Sequence, residues 1–237
     1  MQYGFADETA TAEYGDNDGE LDFADTRSDF PCFAEGTMIR TPGGDQTVQT
    51  LKDGDFVSTM DAGAQPILWI RSYCVRFESR TDPRKPVLIR AHALGAGRPN
   101  RDLIVSGQHR VFFGAQDFHP SGVRQDRLLP AKGLTKLNGI RPMRGIRSVT
   151  YFSLLLPTHQ LIWANKCPCE SFYPGNYILR ALQKTLRYEV LQILPLLRLG
   201  DEIGYGPPIR PVATVGEAKS LVRLSRFHRP TRAYAVS

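Results

Sequence analysis

From Phe33 to about Phe172, apolar residues come in short runs rich in Val, Ile, Leu and Phe, broken every few positions by Gly, Pro or Asp. Runs of this kind predict strands over 37–40, 47–51, 56–60, 67–77, 86–90, 102–106, 110–113, 127–130, 149–156 and 160–164. The turns between them are marked by Pro42-Gly43-Gly44 and Lys52-Asp53-Gly54-Asp55. No helical stretch separates the strands, so the body is expected to be all-β without βαβ crossovers. After Ser171 the period changes: Leu179, Leu182, Leu186, Val190, Ile193 and Leu197 recur at three- and four-residue steps. This predicts a helical segment over 177–199, with Asn176 as N-cap, Pro195 as a kink or stop and Gly200 as the close. A Pro/Gly stretch over 204–211 leads to a second short helical pattern over 215–224. An amphipathic appendage of this kind is expected to pack on its own domain rather than on a partner.

Residues 1–31 break the pattern. They are poor in large aliphatics and hold nine acidic residues against Arg27 alone, a net charge of −8. Such a composition predicts a disordered leader. The remaining 29 Lys and Arg stand against 15 Asp and Glu, so the rest of the chain carries +14. Three regions follow: a leader over 1–31, an all-β domain over 32–172 and a helical extension over 173–237. Because the cations are scattered and no aromatic platform interleaves them, the basic body reads as a solvated surface, and no nucleic-acid partner is expected. A nucleic-acid-binding β-barrel stays as the most distant alternative.

The start of the chain lacks the basic and apolar regions of a Sec-type signal peptide, and no apolar run approaches the ~20 residues of a membrane span. A soluble protein is expected, cytoplasmic or exported by a route without such a signal. Four cysteines do not make a disulfide framework at this length. Cys167-Pro168-Cys169 lacks the two-residue spacer of zinc and thioredoxin motifs, and Asp16-Asn17-Asp18-Gly19 lacks the far acidic ligand of a calcium loop. No metal and no cofactor are expected.

The chemistry concentrates at the charge boundary. Cys32 is the first residue after the leader, and Ser106-Gly107-Gln108-His109 interrupts a β-branched run. A cysteine can attack the carbonyl of the preceding residue and turn that amide into a thioester. The attack needs a donor for the departing nitrogen and a group that holds the amide. His109 supplies the first and Ser106 the second, and Gly107 permits a bend that turns both toward one site. Taken singly, a cysteine is more often a small buried hydrophobe, and a lone histidine a satisfied turn residue.

The body resembles the Hint (Hedgehog/intein) superfamily, in particular bacterial proteins of the Hint_2 type. The resemblance rests on Cys32-Phe33 with Gly36-Thr37 and Ile39, on Val48, Leu51, Gly54, Asp55 and Val57, and on Gln65-Pro66-Ile67 with Trp69-Ile70. It continues through Arg101-Asp102-Leu103-Ile104-Val105-Ser106 and Gln108-His109-Arg110-Val111, then Val149-Thr150-Tyr151, His159, Glu170-Ser171-Phe172 and Pro174-Gly175. Tyr205-Gly206-Pro207 and Arg210-Pro211 look like the family's C-terminal extension.

The resemblance implies a Hedgehog/intein-like pseudo-two-fold horseshoe of short strands, and a single-turnover autocatalytic reaction. Cys32 would shift the Pro31–Cys32 bond to a thioester, with Ser106 and His109 assisting, and His159 looks by position like the catalytic histidine of the C-terminal intein block. The substrate is then the chain's own leader, and the acceptor is water or a small nucleophile. Inteins finish with a His-Asn pair whose Asn cyclises; here Glu170-Ser171 stands at that place, which implies N-terminal cleavage or acyl transfer without full splicing. Ser153 stands where Hint_2 proteins usually have His and inteins an acid, Asn165-Lys166 replaces Glu-Gly, and the Pro31 ring crowds the carbonyl under attack. These departures motivate the alternative, a catalytically lapsed Hint fold that serves as a binding or tethering module.

Overall fold

The computed structural model describes residues 30–118, 125–225 and 227. Of the leader, only Phe30 and Pro31 fall among them; the disorder expected of the rest and the motif at 16–19 lie outside the described residues. The strands are β1 (Phe33–Ala34), β2 (Met38–Thr41), β3 (Gly44–Thr47), β4 (Phe56–Ser58), β5 (Ala64–Pro66), β6 (Trp69–Arg76) and β7 (Val87–Ile89). They continue with β8 (Leu103–Val105), β9 (Arg110–Phe113), β10 (Arg127–Pro130), β11 (Ile140–Pro142), β12 (Ser148–Leu155), β13 (Leu161–Ala164) and β14 (Cys167–Glu170). Among the described residues the helices are α1 (Asn176–Ala181), α2 (Lys184–Ile193), α3 (Asp201–Gly204) and α4 (Val215–Leu221), all on the C-terminal side.

Two six-stranded sheets carry the fold, in the orders β11-β7-β8-β1-β12-β6 and β10-β9-β14-β13-β2-β3, and β4 and β5 form a small ribbon. Every strand pair in them is antiparallel, as expected where neighbours are joined by turns rather than crossover helices. The main core lies among residues such as Phe33, Ile39, Ile89, Leu103, Val111, Leu129 and Ile162, all fully or almost fully buried. Each side chain of this kind contributes about 1.5–3 kcal/mol on leaving water. A second core gathers Phe30, Cys32, Trp69, Tyr151 and Phe172 with Ile178, Leu179, Leu182, Val190, Leu197 and Tyr205. The helical extension therefore packs on the strand body, against the sheet that holds the boundary cysteine.

The structure departs from the sequence reading at several places. The strand expected over 47–51 is a 3-10 turn at Val48–Thr50, because the chain has already paired one step earlier, as β3. Thr41 pairs with Gly44, so the Pro42-Gly43 turn is tight, and Gly44 takes φ 116°, which favours glycine. Strands β1, β5, β11 and β14 were not predicted: they are short and hold Ala, Pro, Cys or Glu in place of β-branched runs. The helical stretch breaks between Leu182 and Gln183, and Gly175 rather than Asn176 is its N-cap.

One departure from the resemblance has a clear geometric role. Asn165 and Lys166 form the two-residue turn joining β13 to β14, with φ 48° and 58°. That turn requires left-handed backbone at both positions, which Asn tolerates well. The Asn165 side chain also accepts from Met38 N at 2.8 Å and donates to the Asp102 carbonyl at 2.9 Å, tying the hairpin to β2 and to the approach to β8.

Candidate active site

Cys32 immediately precedes β1, and β1 lies in the middle of its sheet between β8 and β12. The pairing Phe33↔Val105 brings the end of β8 beside Cys32, and Ser106 N donates to the Cys32 carbonyl at 3.1 Å. The Ser106 hydroxyl then spans the chain before the strand: it accepts from Cys32 N at 3.2 Å and donates to the Phe30 carbonyl. On the other side Phe33 pairs with Phe152, so one step back along the register sets Cys32 opposite Ser153. The Ser153 hydroxyl is 3.1 Å from Cys32 Sγ and 3.5 Å from the Pro31 carbonyl oxygen. The Tyr73 hydroxyl, from β6, lies 2.8 Å from the same sulfur. Serine hydroxyls therefore reach both ends of the Pro31–Cys32 peptide unit.

The thiol is fully buried. Burial pushes its pKa up to about 12, against the opposing pull of the Ser153 and Tyr73 hydrogen bonds. At neutral pH it is protonated, so an attack must move that proton.

His109 is held by the bend after β8. Its backbone N donates to the Ser106 carbonyl at 3.2 Å, and its ring stands edge-on to Phe33, with centroids 4.3 Å apart. Neither ring nitrogen has a hydrogen-bond partner among the described residues. Burial depresses the imidazole to about 4, although Glu170 and the Cys32 backbone favour its charged form. His109 is thus neutral at physiological pH.

His159 belongs to a neighbouring cluster. Its Nδ1 accepts from Ile209 N at 3.1 Å, its Nε2 is 3.4 Å from Glu170, and its ring stands 5.1 Å from that of Tyr173. Glu170, fully buried at the end of β14, also accepts from Arg110 N at 2.8 Å and Arg110 Nη1 at 2.9 Å. Burial alone would raise the Glu170 carboxyl, but Arg110 and the two histidines outweigh it and hold it down to about 2. The structure therefore brings Cys32 and Ser106 into direct contact. His109 packs on the next residue, and His159 is linked to that centre only electrostatically, through Glu170.

Four residues of this site carry no sequence signal that marks them as participants. Ser153 stands out only as a departure from the resemblance, Glu170 as the residue in place of Asn and Arg110 as part of a motif; Tyr73 has no signal of its own. Period-2 alternation along 67–77 puts Trp69, Arg71 and Tyr73 on one face, but nothing local reveals that β12 and β1 lie beside that face. Cys167 and Cys169, on β14, are free, fully buried and part of the core.

A family model described as the Hint domain (Hint_2) matches residues 31–176. No curated protein matches the chain. Among solved structures, the gp41-1 intein shares 15% identity over 58% of this chain and 96% of its own, with a TM-score of 0.39. A bacterial intein-like domain from Clostridium thermocellum shares 12% over 58% of this chain and 96% of its own, at 0.37. The MchDnaB-1 intein shares 15% over 58% of this chain and 98% of its own, at 0.34.

Proposed function

The chain belongs to the Hint domain family, and from that premise we propose that Cys32 converts the Pro31–Cys32 peptide bond into a thioester and so releases the leader over 1–31. The observation that carries this reading is the double grip on the bond: Ser106 on Cys32 N at 3.2 Å and Ser153 on the Pro31 carbonyl oxygen at 3.5 Å. Sγ attacks the Pro31 carbonyl carbon, the C–N bond breaks, and the thiol proton is balanced by one gained at the Cys32 nitrogen. Ser153 donates to the oxygen where negative charge develops. His109, neutral and unpartnered at both ring nitrogens, carries the proton, and the negative Glu170 favours the imidazolium formed on the way. Glu170-Ser171 offers no side-chain amide to cyclise, so the reaction ends in transfer of the leader to water or a small nucleophile.

The test uses the purified full chain with added thiol and intact mass spectrometry between pH 6 and 9. Loss of the mass of residues 1–31 is expected from the wild type and not from Cys32→Ala. Persistent uncut chain in both overturns the reading.

A second reading has its own observation: the thiol is fully buried and its pKa is pushed up to about 12. A lapsed Hint fold that serves as a binding or tethering module accommodates such a thiol, and in that case Cys32→Ala leaves every property of the chain intact.

A further inference from the structure

The thiol and the Ser153 beside it are buried, but both residues whose hydroxyls touch the sulfur border a pocket. Tyr73 and Ser153 line a pocket of about 130 Å³ that opens outward between β6, β12 and the helical extension. Its walls are mainly apolar: Trp69 from β6, and Leu182 and Leu186 from the extension. Ser72 and Gln183 add polar lining, and a further wall is Phe30, which belongs to the segment that would leave and whose ring stands edge-on to Tyr73 at 6.4 Å. The pocket thus touches the acyl segment on one side and the partners of the attacking sulfur on the other.

Its charge is also defined. Arg71 lies on the rim, but its guanidinium is clamped by Asp53 at 2.8 Å and by Glu189 at 2.8 Å. Arg71 is the one charged side chain among the lining residues, and the two carboxylates paired to it bring that ion-pair cluster to one net negative charge. Glu189 also accepts from Trp69 Nε1 at 2.9 Å, which fixes the indole in the wall.

We infer that this pocket is the site of the acyl acceptor, and that it takes a small uncharged nucleophile with a short apolar body and rejects anionic ones. The inference rests on the acyl shift proposed above. In the transfer, an acceptor thiol R–SH attacks the Pro31 carbonyl carbon of the thioester, and the bond from that carbon to Cys32 Sγ breaks. The acceptor's proton passes to the Cys32 sulfur, the leader leaves as R–S–acyl, and Cys32 regains a free thiol beside its free amine.

Mercaptopropanol and mercaptopropionate are matched in reach and differ in charge, so they separate the possibilities. With the wild-type full chain, mercaptopropanol is expected to release the leader about tenfold faster than mercaptopropionate, once corrected for thiolate fraction. Leu186→Trp, which fills the pocket, should bring the ratio toward one, and Glu189→Gln, which lifts one rim charge, should lower it severalfold. Binding is read separately in full-length Cys32→Ala by the Trp69 indole N–H resonance, assigned with Trp163→Phe. A saturable shift is expected with mercaptopropanol, absent with mercaptopropionate and lost on Leu186→Trp. Equal rates for the two thiols, or cleavage without a saturable shift, overturn the inference. No cleavage with either thiol overturns instead the acyl shift on which it rests; a saturable shift in that case still leaves the pocket without an acceptor role.

Discussion

Ser153 Oγ stands 3.1 Å from Cys32 Sγ, and the same hydroxyl reaches the Pro31 carbonyl oxygen at 3.5 Å. A hydroxyl cannot hold a full charge there, but it can hydrogen-bond the sulfur and donate to the carbonyl oxygen as that oxygen becomes anionic. Ser153→Ala is expected to slow leader release by up to about a hundredfold, the effect of losing one donor at a developing oxyanion. Its melting temperature should move little, since the thiol keeps its contact with Tyr73. Single-turnover mass spectrometry and a thermal melt on the same preparation check both halves.

Ser106 has a heavier structural load. Its hydroxyl bonds both Cys32 N and the Phe30 carbonyl, all of it buried. Ser106→Ala leaves two backbone groups unpaired, at about 1–3 kcal/mol each. The variant should lose stability in denaturant titration and slow cleavage together. A variant that kept full stability but lost cleavage would confine Ser106 to the chemistry.

Much of this site was legible in the chain itself. Cys32 declares itself by the charge boundary, and Ser106 and His109 by a turn inside an apolar run. Strands β9 and β10 have the boundaries that apolar runs and Gly/Pro punctuation predict. Pairing across the sheet was not legible. Strand β1 has only two residues, yet it joins β8 to β12. Its register alone sets Cys32 against Ser153, and strand register is fixed by distant partners rather than by local sequence. Glu170 was hidden for a related reason: its partners Arg110 and His159 are far away in sequence and meet it only after β14 pairs with β9 and β13.

Glu170 holds that meeting point together. Its carboxylate is fully buried and satisfies both the Arg110 backbone and its guanidinium. Glu170→Ala strands a largely buried cation and two histidines, and a loss of about 3 kcal/mol or more is expected in chemical denaturation. Glu170→Gln keeps an acceptor but removes the charge. It should retain more stability than the Ala variant while lowering the pKa of His109, which NMR titration of the imidazole reads directly.

The pH dependence of stability has a definite sign. Folded His109 is held at about 4 against an ordinary 6.5, so below pH 6.5 the unfolded chain takes up a proton that the folded one refuses. Stability therefore falls as the pH drops from 6.5 to 4. Glu170, held at about 2 against an ordinary 4.5, extends the loss as pH falls through that lower window. Cys32 works at the other end: its pKa of about 12 against an ordinary 9.0 means stability is lost as pH rises from 9 toward 12. Melting temperature across pH should show a plateau from about 6.5 to 9. His109→Gln should flatten the limb between 6.5 and 4 and leave the alkaline limb unchanged.

The extension is fastened to the strand body at a second point, away from the thiol. Helix α4 begins with a capping box, in which Thr214 Oγ1 accepts from Glu217 N at 3.2 Å and Glu217 accepts from Thr214 N at 2.7 Å. The helix then lays Ala218 against Gly133, in the 3-10 turn at Ala131–Leu134. A Cβ at Gly133 would overlap the Ala218 side chain and stand 3.3 Å from the Val215 carbonyl oxygen. Neither neighbour is a flexible side-chain end that can swing away. Gly133→Ala is therefore expected to destabilise the chain by about 1–3 kcal/mol. Ala218→Gly alone should cost about 1 kcal/mol as a helix-interior glycine. In the double variant the removed methyl makes room for the added one, so its loss should be smaller than the sum of the singles by about 1 kcal/mol. Denaturant midpoints of the four proteins close the cycle. Additive losses would mean that α4 does not press on Gly133 in solution.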